Sequence, residues 1–196
     1  MFRRAVAMDE TSDEDLLARY ATGDAVAAQE LTRRHAPRAF AVAFRMLADR
    51  AEAEDVAQEA LLRLWKIAPD WRRGEAQVST WLYRVTFNLS ADVLRKRKRV
   101  GVALDDAPEP VDEAKPPAER MLDHARAAAL QEALGTLPDR QRQAVVLRHI
   151  EGLGNPEIAQ VMDISVEAVE SLTARGKRAL AAVLKGRRAE LGYQDG

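Results

Sequence analysis

Three groups of residues have types and spacings that could do chemistry. The first spans Asn155 to Arg178. Asn155–Pro156–Glu157 is a helix start, with an N-cap residue, a proline in the first turn and then an acid. A short helix to Met162, a tight turn, a cap at Ser165 and a longer helix from Val166 to about Lys185 follow. This is the grammar of a helix-turn-helix. Ile158, Val161, Ile164, Val166 and Val169 are apolar where a packed helix pair needs them, and Ala159 is small where the helices would cross. The second helix of such a unit enters the DNA major groove with its N-terminal residues toward base edges. Arg175, Lys177 and Arg178, with Lys185, Arg187 and Arg188 beyond, would hold phosphates. An ordinary helical hairpin with a solvated basic end satisfies the same spacing.

The second group is Trp81, Arg84, Asn88 and Arg95, leading into Arg95–Lys96–Arg97–Lys98–Arg99. These residues fall on roughly one helical stripe. An aromatic ring, an amide and guanidiniums together suit unstacked bases and a phosphate backbone. Taken separately, the basic run is also a favoured helix C-terminus, and Trp81 is also a core residue type. The third group is the polar face Asp55, Gln58, Glu59, Leu62, Arg63 and Lys66, which sets a leucine among acids, bases and an amide. By pattern it is a solvated face, and a protein-docking surface is the alternative. His35, His124 and His149 are isolated and form no ligand pair. No glycine-rich phosphate loop or nucleophile elbow is present, so the residues offer no catalytic constellation and no metal or cofactor site.

The elements that must position these groups are helices. Alanine, leucine, arginine and glutamate dominate the 196 residues, of which 47% are hydrophobic and 31% charged. Asp13–Glu14–Asp15 opens a first helix, Gly23–Asp24 marks a turn, and a second helix runs from about Ala25 to Leu47. In the third, Ala53, Val56, Ala57, Ala60, Leu61 and Leu64 recur with the period of one buried face, and Pro69 ends it. A fourth runs from about Ser79 to Arg99, with Leu82, Val85, Leu89 and Val93 as its expected buried stripe. An amphipathic helix through Ala125–Leu134 and one opened by Pro138 complete the set. Residues 105–119 hold four prolines and six acids against one lysine, which reads as a linker. The expected fold is therefore all-α, with two small helical domains, 12–99 and 121–188, joined by an acidic proline-rich segment over 100–120.

Composition narrows the function further. The chain has no cysteine, which excludes a disulfide scaffold and thiolate chemistry. Its net charge of −1 excludes a uniformly basic coat but leaves room for local basic patches. No apolar run reaches the ~18 residues of a membrane span, and the N-terminal stretch has no signal-peptide core. The expected location is the cytoplasm, without membrane insertion.

Several of these segments, in order, resemble one family. Ala53–Trp65 is similar to the core-polymerase-binding helix of sigma-70-type transcription initiation factors. Ser79–Leu89 resembles their promoter-melting helix. Leu137–Arg148, followed by the helix-turn-helix, resembles their domain 4. The spacing is that of the small two-domain extracytoplasmic-function group, and the resemblance covers about 12–99 and 121–186.

The resemblance implies two small domains. The first docks Asp55, Gln58 and Glu59, supported by Leu62 and Trp65, on the beta-prime clamp helices of core RNA polymerase. It also captures the minus-ten promoter element through Trp81, Arg84 and Asn88, with Arg95, Arg97 and Arg99 on phosphates. Asn88 matches the position lining a pocket for a flipped base, which requires that the duplex stack be broken first. The second domain, with the beta flap as its polymerase contact, reads the minus-thirty-five duplex. Its contact residues would be Ser165, Glu167, Glu170, Ser171, Ala174, Arg175, Lys177 and Arg178. Family members often carry basic residues where this chain has Glu170 and Leu172; a glutamate there would either accept from a cytosine amino group or mean a weaker or altered contact.

The implied protein is not an enzyme. It gives polymerase promoter specificity and helps open DNA. An anti-sigma factor would control it, in some cases tethering it at a membrane, and it would be nucleoid-associated when active. Two rivals from other classes are a stand-alone helix-turn-helix regulator and a decoy or adaptor that occupies an anti-sigma factor. The first leaves the N-terminal helices without a role.

Overall fold

A computed structural model describes residues 11–100 and 117–187 as eight α-helices, with no strand among the described residues. The helices are α1 (Asp13–Ala21), α2 (Ala25–Leu47), α3 (Arg50–Ile67), α4 (Val78–Val100), α5 (Pro117–Gly135), α6 (Asp139–Val145), α7 (Asn155–Met162) and α8 (Val166–Lys185). Most of the expected linker and the final basic residue, Arg188, lie outside the described residues. The part of that segment that is described, from Pro117 onward, is already the start of α5.

Local sequence explains where the helices begin and end. Ser12 caps α1 by accepting from the Asp15 amide at 3.1 Å. Asp24 caps α2 by accepting from the Val26 and Ala27 amides at 2.9 and 3.2 Å. Asp49 caps α3 through the Glu52 amide at 2.9 Å. Each cap satisfies an amide that the first helical turn leaves without a partner. Gly23 supplies the positive φ of the α1–α2 turn at 97°. A 3-10 turn over Ala68–Asp70, with Pro69 in its first positions, ends α3.

Helices α1 to α4 pack around Leu16, Leu17, Leu31, Ala60, Leu64, Val78 and Leu82. Asp13 ties α1 to α2, accepting from Arg34 at 3.0 Å and lying 2.7 Å from the buried His35 ring. His35 is thus a packed structural residue. A second apolar cluster joins Val42, Phe44, Met46, Leu47, Tyr83, Phe87 and Leu94 to Leu134, Val145, Leu147, Ile158, Val161 and Val169. The C-terminal helices therefore pack directly on α2 and α4.

Helix α4 departs from the expected stripe. Leu82 is buried, whereas Val85, Leu89 and Val93 are only half-buried. Tyr83, Phe87, Ser90 and Leu94 form a second buried face, turned toward the C-terminal helices. The periodicity of α4 alone does not show that face, because the helices covering it lie far along the chain.

After α6 the chain makes a single π turn over Val146–Ile150, closed by the Glu151 amide on Val146 O at 3.0 Å. Helix α7 begins one residue earlier than its motif suggests. Gly154 is the N-cap, its amide donating to Glu157 at 2.8 Å, and Asn155 is already helical. Ser165 caps α8 as expected, accepting from the Ala168 amide at 3.2 Å. A close helix approach not expected from the sequence lies at Gly176, where α8 meets α6. A Cβ there would lie 2.5 Å from Val145 Cγ2 and 3.2 Å from Gln141 O.

Candidate nucleic-acid and polymerase-docking surfaces

Side chains on a helix advance by ~100° per residue, so register decides which residues share a face. On α4, Trp81, Arg84, Asn88, Arg95 and Arg99 fall within a sector of ~60°. Arg84, Asn88, Arg95 and Arg99 are all exposed. Trp81 sits half-buried at the edge of this sector, with its ring centroid 6.0 Å from that of Trp71 in an edge-on contact at 78°. It anchors the sector to the N-terminal core. Arg95 pairs with Asp92 one turn earlier, an exposed pair that competes weakly with a phosphate.

Arg97 is not part of this surface. It lies on the opposite side of α4, where it donates to Leu47 O at 2.8 Å and pairs with Glu52 at 2.5 Å. Its side chain is only 12% exposed, so its charge is spent inside the protein rather than on a phosphate. A basic run places its members around the whole helix, and only tertiary structure shows which of them turn inward.

On α3, Asp55, Gln58 and Leu62 are exposed. Leu62 is 52% exposed although it follows the buried Leu61, and such a leucine among charges suits a docked partner. Glu59 accepts from Arg63 at 2.8 Å, and that bond holds its carboxyl below the ordinary range. Trp65 is half-buried at the edge of the same face, its ring 4.7 Å from Tyr20, and helps fix α1 on α3. Beside this face lies a groove of about 390 Å³, walled by Asp55, Glu59 and Arg63 from α3 and by Asp92, Val93 and Lys96 from α4. The α4 wall escaped the sequence reading. Its signal is weak: an acid and a base four apart, flanking a half-buried valine.

On α8, Glu167, Glu170, Ser171, Ala174, Arg175, Lys177 and Arg178 are all exposed and share one broad face. Gly176 lies opposite and is buried against α6. Ser171 and Ala174 keep the centre of the face small, so that a groove could approach the backbone. Ser165 is engaged in capping, and Glu167 has its carboxyl lowered by its own backbone amide and by the Ser165 hydroxyl. Both residues therefore belong to the helix start. Glu170 accepts from the Asn155 side chain at 3.4 Å, which steadies it at the junction of α7 and α8. Leu172 is half-buried against the apolar cluster, so a basic side chain there would have to leave the core. Acids cluster in the first two turns of α8 and bases from the third turn onward.

The comparisons with known proteins divide the chain along the same lines. Residues 31–100 match the family described as Sigma-70 region 2, and residues 127–180 match Sigma-70, region 4. The chain is 36% identical over 165 residues to the ECF RNA polymerase sigma factor SigE of Mycolicibacterium smegmatis. That match covers 82% of this chain but 63% of the relative's length. The chain is also 33% identical over 175 residues to the ECF RNA polymerase sigma factor SigM of Mycobacterium tuberculosis, covering 89% of this chain and 86% of that one. Among solved structures, CnrH in complex with the cytosolic domain of CnrY aligns with a TM-score of 0.65 at 28% identity. That alignment covers 89% of this chain and 97% of CnrH.

Proposed function

The chain belongs to the extracytoplasmic-function sigma factors of the sigma-70 family, and from that premise we propose that it directs core RNA polymerase to promoters with two recognition elements. The observation that carries this reading is the exposed sector Arg84–Asn88–Arg95–Arg99 on α4, set beside the acidic, leucine-bearing face of α3. A stand-alone DNA-binding regulator has no use for that second surface.

In this reading, residues 12–99 and 121–188 act as two units. Asp55, Gln58, Glu59 and Leu62 of the first unit dock on the clamp helices of the beta-prime subunit, and the second unit contacts the beta flap. Asn88 then receives a base flipped out of the non-template strand at the minus-ten element. Arg84, Arg95 and Arg99 neutralise adjacent phosphates, a contribution that falls with salt. The exposed face of α8 enters the minus-thirty-five major groove, with Glu170 as an acceptor for a cytosine amino group. Arg175, Lys177 and Arg178 lie against the backbone. Each surface is small, so affinity for the whole promoter comes from engaging both units at once on one polymerase.

The protein supplies binding energy and no bond chemistry of its own, so it is not an enzyme. It works in the cytoplasm at the nucleoid, and an anti-sigma factor, in some cases membrane-anchored, holds it inactive. CnrH bound to CnrY shows that a protein of similar fold and 28% sequence identity is found in a complex with one partner domain.

Run-off transcription with purified core polymerase on a promoter library tests the proposal. Transcripts that start at a shared two-part motif only when this protein is present support it. Asn88→Ala, at an exposed position, should abolish product while leaving core binding intact. Tight core binding without any transcript would instead identify a decoy or inhibitor, and duplex binding without core binding a stand-alone regulator.

A further inference from the structure

A side-chain bond joins α7 to the open face of α8. Asn155 is a capping residue type at the start of α7, yet the cap there is Gly154, whose amide donates to Glu157 at 2.8 Å. That shift puts Asn155 inside the first turn and releases its side-chain amide from the capping role. The amide turns across the junction of the two helices and donates Nδ2 to Glu170 Oε1 at 3.4 Å. Asn155 is half-buried and Glu170 is exposed, so the pair runs from the α7–α8 junction out to the surface.

Glu170 is an unusual residue for a surface that meets DNA. A carboxylate is repelled by a phosphate backbone, and a long side chain on a helix surface has the rotamer freedom to swing away from it. For the carboxylate to face a base edge, a neighbour must hold it there. A cation would hold it but would also neutralise it, as Arg63 does for Glu59 at 2.8 Å and Arg97 for Glu52. Among the described residues Glu170 has no ion pair of this kind. An amide is the neutral alternative. It donates to one carboxylate oxygen and leaves the charge and the second oxygen available. A carboxylate only accepts, so the amide must present its nitrogen. At 3.4 Å the bond is long, and it biases the direction of Glu170 without locking it. Two other acids nearby are already committed, Glu157 to the Gly154 amide and Glu167 to the start of α8.

The second oxygen suits one base. In the major groove cytosine presents an amino donor, whereas guanine and thymine present acceptors that a carboxylate repels. Adenine pairs its amino group with an N7 acceptor, which favours an amide over a carboxylate. Ser171 and Ala174, one and four residues beyond Glu170, are small and leave room for a base pair.

We propose that Asn155 and Glu170 form one reading unit, in which Asn155 is a positioning residue that aims the Glu170 carboxylate at a cytosine of the minus-thirty-five element. The inference rests on the promoter-reading function proposed above and adds a residue of α7 to the specificity of the α8 face. The first helix of such a motif crosses the DNA backbone. Seating α7 there also fixes, through Asn155, where Glu170 points.

Holoenzyme reconstituted from core polymerase and the full chain, offered promoters randomised across the minus-thirty-five element, tests the unit. The readout is the base preference at each position among the transcribed sequences. Wild type should favour cytosine over guanine about tenfold at one position. Glu170→Gln should shift that position toward adenine, which an amide reads as both donor and acceptor. Asn155→Ala should lower the cytosine preference there about fivefold and leave the other positions as they are. Asn155→Asp separates positioning from structure. An acid in the first turn of α7 favours the helix, so thermal stability should not fall. Its charge pushes Glu170 away, so the cytosine preference should fall at least as far as in Asn155→Ala. Should Asn155→Ala lose helical content, Asn155→Asp carries the test. An unchanged cytosine preference in a folded Asn155 variant, or no response at any position to Glu170→Gln, overturns the inference and leaves the two-element reading standing. A library without any shared two-part motif removes the proposed function, and this inference with it.

Discussion

Replacing Gly176 with alanine sets two opposed effects against each other on α8. Alanine is the better helix former by about 1 kcal/mol in a helix interior, so propensity alone makes the variant more stable. Packing points the other way. The new Cβ would lie 2.5 Å from Val145 Cγ2 and 3.2 Å from the Gln141 carbonyl oxygen. Neither neighbour yields easily. Val145 is 2% exposed and β-branched, and Gln141 O is helix backbone. Overpacking of this kind costs about 1–3 kcal/mol. The net expectation is a loss of up to about 2 kcal/mol, read by chemical denaturation at 25 °C. Val145→Ala alone should cost about 2 kcal/mol through the cavity it leaves. In the double variant the alanine methyl occupies part of that cavity, so the combined loss should fall short of the sum by at least ~1 kcal/mol. A Gly176→Ala protein more stable than wild type, or a strictly additive double variant, would refute the claim that α8 lies against α6 at this point.

Arg97 and Arg95 should separate cleanly. Arg97→Gln removes the partner of Glu52 and the cap on Leu47 O and should cost about 2 kcal/mol of stability. Arg95→Gln should leave the melting temperature unchanged but weaken promoter binding and lower its salt dependence by about one phosphate contact. Helix α2 should also be acid-sensitive. Glu30 has its carboxyl lowered from 4.5 to about 2 by hydrogen bonds from Arg33 and Arg34. A depressed carboxyl adds stability that is fully present above its unfolded value and is lost as pH falls through its folded value. Stability should therefore decline between about pH 4.5 and 2, and Glu30→Gln should flatten that decline in an acid denaturation series.

The parts of the fold set by neighbours in sequence were legible from the residues. The bounds of α2 and α8 follow from Asp24 and Ser165 as caps and from apolar period. The buried face of α3 lies where Ala53, Val56, Ala60 and Leu64 predict it. Legibility failed where distant contacts decide. Nothing local marks Tyr83, Phe87 and Leu94 as the seat of the C-terminal helices, because each also reads as an ordinary member of an amphipathic helix. Arg97 looked like its neighbours in the basic run until Glu52 and Leu47 O claimed it. Asn155 lost the capping role to Gly154 because the Glu157 carboxyl reaches the Gly154 amide directly. Gly176 carried no signal beyond being a glycine inside a helix, which costs stability unless something approaches closely.

Helix α4 ties these results together, because it serves three neighbours at once. At ~100° per residue, the sector of Arg84, Asn88 and Arg95 occupies one side, the Leu82 side faces α1 to α3, and Tyr83, Phe87 and Leu94 face the C-terminal helices. Only the first of these is open to solvent. Removing the C-terminal helices would uncover Tyr83, Phe87 and Leu94 next to the Arg84, Asn88 and Arg95 sector. Exposing apolar surface is unfavourable in water. Apolar burial, with the Tyr83–Glu151 and Lys98–Asp139 contacts, therefore holds the C-terminal helices on α4.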